Sequence, residues 1–220
     1  MEFNRYISQN TPQMRNTFLA IGTVLGWLAV GLQFYLIIVN RIASVTETII
    51  RFFSFFTILT NTLVALCFTM LLLKPESVLG KFFSRSKILA AITVYIVIVG
   101  IVYNVILRSI WNPEGLQLVA DELLHSVMPV WFILFWLLFA PKAELQWGNV
   151  FPWLIYPFVY TLFIFFRGAL SGFYPYPFID ANALGYGKVL FNSIILFFAF
   201  LLLSLVLVAI GKIISKTGIK

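Results

Sequence analysis

The stretch "ILAAITVYIVIVGIVYNVIL", residues 88–107, runs for twenty residues without a charged side chain. As a helix rising about 1.5 Å per residue it covers about 30 Å, the hydrocarbon thickness of a bilayer. Comparable runs recur at roughly 17–39, 52–73, 123–140, 150–166 and 189–210. The fifth contains Pro152 and Pro157, which helices tolerate in lipid better than in water. The expected fold is therefore all-α: a polytopic membrane protein with six transmembrane helices in one bundle spanning 1–220.

Composition points the same way. The chain is 61% hydrophobic and 10% charged, whereas a soluble domain carries about 25% charged residues. So few charges cannot coat a water-facing surface, and six spans leave no room for a second, soluble domain. Arg5 and Arg15 precede the first run, as in a signal peptide. That run is longer than a secretory apolar core of about 7–15 residues and no small-residue cleavage site follows, so it reads as a retained helix. With the N-terminus inside, ten lysines and arginines fall in inner segments. Five fall in outer ones: Arg41, Arg51, Arg108, Arg167 and Lys188. Both termini are predicted cytoplasmic. The net charge of +7 is then mostly orienting charge; it is scattered over short loops and forms no nucleic-acid-binding patch. A lone Cys67 excludes an intramolecular disulfide. With one His and one Cys, the chain offers no usual zinc or haem ligand set.

The topology sorts the polar residues. In the second span Ser54, Thr57 and Asn61 are spaced three and four apart, which places them on one helical face. The third ends with Asn104 and Arg108, the fourth opens with Asp121 and His125, and the fifth ends at Arg167. The sixth starts after Tyr186 and Lys188 with Asn192 one turn in, and Gln33 lies in the outer half of the first. Polar groups in hydrocarbon are costly unless they face partners or a wet cavity. A polar cavity toward the outer side, open outward or laterally, is predicted. The outer loop 168–187, "ALSGFYPYPFIDANALGYGK", reads either as an interfacial aromatic belt with turn residues or as a lid. As a lid it would contribute Tyr174, Tyr176 and Asp180.

His125 is the only histidine. A neutral imidazole is the natural general base near neutral pH, although an interhelical hydrogen bond would equally account for it. Asp121, one turn earlier, is either its orienting partner or an acidic helix cap. A Thr hydroxyl becomes a nucleophile once a base takes its proton. Thr57 and His125, each a short way into a helix from the same side, are predicted to meet at one depth. Taken alone, Thr57 is explained as well by backbone hydrogen bonding within a membrane helix.

Five stretches carry a family resemblance: "FFSFFTILTN" (52–61), "YNVILR" (103–108), "DELLHSVMP" (121–129), "YPFVYTLFIFFRG" (156–168) and "YPYPFIDANALGYG" (174–187). In order and spacing they resemble bacterial six-helix integral membrane relatives of the androgen-induced membrane proteins, which hydrolyse fatty acid esters of hydroxy fatty acids. The resemblance implies a membrane-embedded threonine nucleophile and a histidine that precedes a proline by a few residues. His125, followed by Pro129, matches that histidine. Thr57 keeps the nucleophile's residue type; Ser54, after the basic-aromatic lead-in "RFFS", is the alternative. It further implies a lipid ester substrate, a bacterial cell membrane and no metal or organic cofactor.

The implied activity is intramembrane ester hydrolysis through an acyl-enzyme. Asn61, Asn104 and Tyr103 are the candidate oxyanion donors, and Arg108 or Arg167 would hold a fatty acid carboxylate unless they merely snorkel to the membrane boundary. The rival is a non-enzymatic lipid- or small-molecule-binding protein or transporter. It explains the polar cavity equally well, but the chain lacks the paired inverted repeats of secondary transporters.

Overall fold

The computed structural model describes residues 2–217, with side chains from Pro12 onward. Of the charges used to orient the chain, Lys220 and the Arg5 side chain lie outside the described residues. The α-helices are, in order, α1 (Glu2–Val39), α2 (Val45–Phe52), α3 (Phe56–Leu73), α4 (Val78–Phe83), α5 (Ser86–Val102), α6 (Gly115–Glu122), α7 (Met128–Phe139), α8 (Val150–Trp153), α9 (Ile155–Ser171), α10 (Ala181–Leu184) and α11 (Tyr186–Lys216). Wider π-turns extend α5 through Tyr103–Leu107 and join α6 to α7 through Leu123–Val127. Among the described residues there is no strand.

Six helical stretches are long and apolar enough to cross a membrane: Pro12–Val39, Phe56–Leu73, Ser86–Leu107, Gly115–Phe139, Trp147–Ser171 and Tyr186–Lys216. Their outward faces fit lipid. Val24, Phe151, Phe166, Leu170 and Leu202 are 65–74% exposed, an arrangement water penalises and hydrocarbon does not. This is the build of a multi-pass integral membrane protein.

The uncharged stretch 88–107 forms the innermost helix. In the most apolar 18 residues of each span, 67% are buried for Ser86–Leu107 and 56% for Phe56–Leu73, against 28% for the first and last spans. Around this centre, Phe68 of α3 packs on Phe132 and Phe135 of α7 at ring distances of 5.1 and 5.2 Å. Phe18 of α1 stacks on Trp131 at 4.1 Å, and the Trp131 indole N–H donates to the Phe18 carbonyl. On α7's far end, Lys142 Nζ donates to the carbonyls of Leu137 and Ala140, closing the helix C-terminus.

The second predicted span, 52–73, is not one helix. The chain breaks between Phe53 and Phe55, where Phe55 is extended (ψ 126°) and stands as the N-cap of α3. A continuous helix would stack Phe52 and Phe56 on one face, four apart. In the fold they serve different clusters. Phe52 is buried with Ala29, Val30, Ile58 and Leu124, and Phe56 with the main core near Tyr156, Tyr160 and Phe200. Burial of the two large rings in separate clusters goes with the break. The expected common face of Ser54, Thr57 and Asn61 is thereby lost for Ser54, which lies outside α3.

Candidate functional site

The site grows from Pro129. Having no N–H, a proline leaves one carbonyl unpaired: that of His125 in α-helical register, or of Leu124 in π register. Side chains of neighbouring helices take both. Asn104 Nδ2 donates to the His125 carbonyl and Asn61 Nδ2 to the Leu124 carbonyl, each at 3.2 Å. Each amide also reaches back four residues in its own helix, Asn104 to Gly100 O and Asn61 to Thr57 O, both at 2.9 Å. Both N–H groups of each asparagine are therefore occupied. Their expected role as oxyanion donors is corrected: they hold the segment that carries His125. Close approach also requires Gly100, where an added Cβ would meet Pro129 Cβ at 3.1 Å and the His125 carbonyl at 3.2 Å.

His125 is held in one plane and one tautomer. Its ring stacks on Tyr103 at 3.9 Å with 10° between planes. His125 Nδ1 lies 2.9 Å from the backbone carbonyl of Asp121. A carbonyl only accepts, so Nδ1 carries the proton and Nε2 presents its lone pair. Asp121 thus orients the imidazole, but through its main chain. Its carboxylate accepts instead from Trp111 Nε1 at 2.6 Å and Gln117 Nε2 at 3.1 Å. The helix-cap alternative also fails, since this helix begins at Gly115 and Asp121 lies near the C-terminal end of α6.

Thr57 stands in the first turn of α3, where backbone N–H groups have no helical acceptor. Two tyrosine hydroxyls take them. Phe56 N–H donates to Tyr160 Oη at 3.2 Å, and Thr57 N–H to Tyr176 Oη at 3.1 Å. Tyr160 Oη donates in turn to the Ser54 carbonyl at 2.9 Å, bridging the helix break. Thr57 Oγ1 lies 3.3 Å from Tyr176 Oη. Burial raises the Tyr176 phenol above its ordinary pKa, so it stays a protonated donor. Ser54 is fully buried and donates to Ile50 O at 2.7 Å; unlike Thr57, it does not reach the cavities described next.

Two chambers of about 330 and 550 Å³ meet at this point. Thr57, His125, Tyr103, Tyr176 and Leu107 line both. The smaller is hydrocarbon-like and reaches the lateral surface between α9 and α11, where its lining residues Phe158, Leu162, Leu190 and Ile194 are about half exposed. The larger lies under the loops at 108–114 and 172–185 and carries polar walls: Gln33, Asn40, Trp111, Gln117 and Asp121. Polar groups of separate helices do gather at one end of the bundle. Loop 168–187 supplies walls to both chambers through Pro175, Tyr176, Pro177 and Phe178, which fits a lid better than a belt.

The remaining candidates have other duties. Arg108 pairs with Glu122 at 2.5 Å, donates to Ser126 Oγ and lies over the Tyr103 ring. Arg167 is buried and pairs with Glu47 at 2.9 Å, while its second nitrogen donates to Ser171 Oγ. Glu47 also pairs with Arg51. Arg51 and then Arg167 hold its carboxyl below the usual carboxylate range. Neither expected carboxylate clamp lines a chamber. Asp180 caps α10, accepting from the N–H groups of Asn182 and Ala183, and Asn192 donates to Phe178 O, anchoring the loop. Sequence reading missed Tyr160, Trp111 and Gln117. Gln117, four residues before Asp121 on one helix face, was the detectable one.

Set against protein-family models, curated proteins and solved structures, the chain matches none.

Proposed function

We propose that the protein is an intramembrane hydrolase of lipid esters, with Thr57 as nucleophile and His125 as base. The observation that carries this reading is the shared chamber wall: the Thr57 hydroxyl, at a helix N-terminus beside Tyr176 Oη, and an imidazole whose unprotonated nitrogen is fixed as Nε2. His125 Nε2 takes the Thr57 proton as Oγ1 bonds to the ester carbonyl carbon. The proton passes to the departing alcohol, leaving an acyl-threonine. Water, giving its proton to the same nitrogen, then releases the acid and restores the hydroxyl. Tyr176 Oη and the positive end of α3 supply stabilisation for the oxyanion. An ester with two long arms enters sideways from the lipid, one arm per chamber. On this reading, which the family resemblance also favours, the protein lies in a bacterial cell membrane with both termini cytoplasmic and the chambers toward the outer side. The chemistry needs no metal or organic cofactor.

A fluorophosphonate probe tests it. Purified wild-type protein should form an adduct that peptide mass spectrometry maps to Thr57. Ser54→Ala should label normally; Thr57→Ala and His125→Ala should not. Well-folded wild type that stays unlabelled would sink the hydrolase reading in favour of a ligand-binding protein.

A further inference from the structure

The two chambers differ in the charge they can accept. Among the described residues no charged side chain lines the smaller chamber. Of the described residues, Asp121 is the charged one that lines the larger, together with the amides of Gln33, Asn40 and Gln117. Asp121 is 5% exposed, and among the described residues no cation pairs with it. Its two bonds come from N–H groups, one to each oxygen, so each oxygen keeps a lone pair for a further donor. Gln117 also donates to Gln33 Oε1 at 2.8 Å, which ties the carboxylate to α1 and sets the polar end of the chamber as a unit. The two arginines that would neutralise a ligand's carboxylate are committed to Glu122 and Glu47.

We infer that the larger chamber takes the ester arm that ends in a polar group, by a hydrogen-bond-donating, non-acidic terminus, a hydroxyl or an ammonium group, and excludes a terminal carboxylate. An anionic terminus would face a buried carboxylate in a site of low dielectric, where like charges repel strongly. A hydroxyl or ammonium instead fills the open lone pairs of Asp121. This departs from what the family resemblance implies, a substrate with a free fatty acid carboxylate. It rests on the hydrolase reading for there being two arms, but the charge preference belongs to the chamber itself.

The test uses esters of one fatty acid with equal-length alcohols ending in hydroxyl, ammonium or carboxylate. Release of the acid by detergent-purified wild type and Asp121→Asn is followed by mass spectrometry. The ether analogues, which cannot be cleaved, are measured for binding by equilibrium dialysis. Asp121→Asn keeps the main-chain carbonyl that orients His125, so loss of charge is separated from loss of the base. For wild type the carboxylate-ended compound should be at least about tenfold poorer than the hydroxyl- and ammonium-ended ones in both readouts. In the variant the carboxylate-ended compound should gain and the ammonium-ended one should lose, again by about tenfold. Preferred turnover of the carboxylate-ended ester, or an order unchanged by Asp121→Asn, overturns the inference and leaves the hydrolase standing. The expected order in binding without any cleavage removes the hydrolase and keeps the chamber's preference. Failure of every ether to bind overturns the inference as well.

Discussion

Replacing Asn104 by Leu, alone and together with Pro129→Ala, tests the physical basis of the site. In the wild type, Asn104 Nδ2 is the donor that serves the His125 carbonyl, because Pro129 has no N–H to offer it. Leu has similar bulk and no donor, so the part-buried carbonyl is left unpaired at the lipid-facing side of the bundle. The cost of an unsatisfied buried acceptor is about 1–3 kcal/mol. Interhelical side-chain bonds in membrane proteins average only about 0.6 kcal/mol, so the lower half of that range is expected for Asn104→Leu. Pro129→Ala restores an N–H in α register with the same carbonyl. In that background Asn104→Leu should cost markedly less, giving a coupling of about 1 kcal/mol in a double-mutant cycle. Independent sites add to within about 0.3–0.5 kcal/mol, so the coupling is resolvable. Reversible unfolding in mixed detergent micelles, followed by circular dichroism, measures all four proteins. Additive costs would refute the claim that the asparagine substitutes for the proline's missing donor.

Three further outcomes are expected. Tyr176→Phe removes the hydroxyl on the Thr57 N–H and the proposed oxyanion donor; turnover should fall about 10²–10³-fold while the protein still folds, and unaltered turnover would assign Tyr176 to the lid alone. Glu47 joins α2 to α9 through Arg167, and its folded pKa is depressed by Arg51 and Arg167. Its stabilising contribution is therefore present above the ordinary value of 4.5 and lost as pH falls through the lower folded value. Unfolding midpoints between neutral pH and about pH 3 should decline more for wild type than for Glu47→Gln, and parallel curves would count against the ion-pair node. Finally, Cys67 is buried, so a cysteine introduced at exposed Ile110 should react in intact cells with a membrane-impermeant maleimide. Labelling only after the membrane is permeabilised would reverse the proposed orientation.

Particular residues show how far the sequence could be read. Apolar run length was sufficient for the six spans, because the hydrocarbon thickness sets one scale that a local window can measure. His125 and Thr57 stood out as rare polar groups in apolar runs, and the structure lines both chambers with them. Helical spacing went astray at Ser54, because the break before α3 goes with where Phe52 and Phe56 are buried, a nonlocal matter. Arg108 and Arg167 looked free because their partners, Glu122 and Glu47, lie 14 and 120 positions away in the chain. The asparagines were given the wrong task, since one acceptor of each belongs to a different helix.

Hydrophobicity and charge along the chain are one-dimensional quantities. They by themselves determined that this is a helical protein with six membrane-spanning segments, and where its few polar side chains lie along them. The pairing of those groups depends on which helices become neighbours. Only the tertiary structure decided that two asparagines replace the donor missing from Pro129. It alone decided that Asp121 meets His125 through its carbonyl while its carboxylate faces a chamber. In hydrocarbon each polar group must find a partner inside the protein, and that partner is chosen by packing across the bundle rather than by distance along the chain.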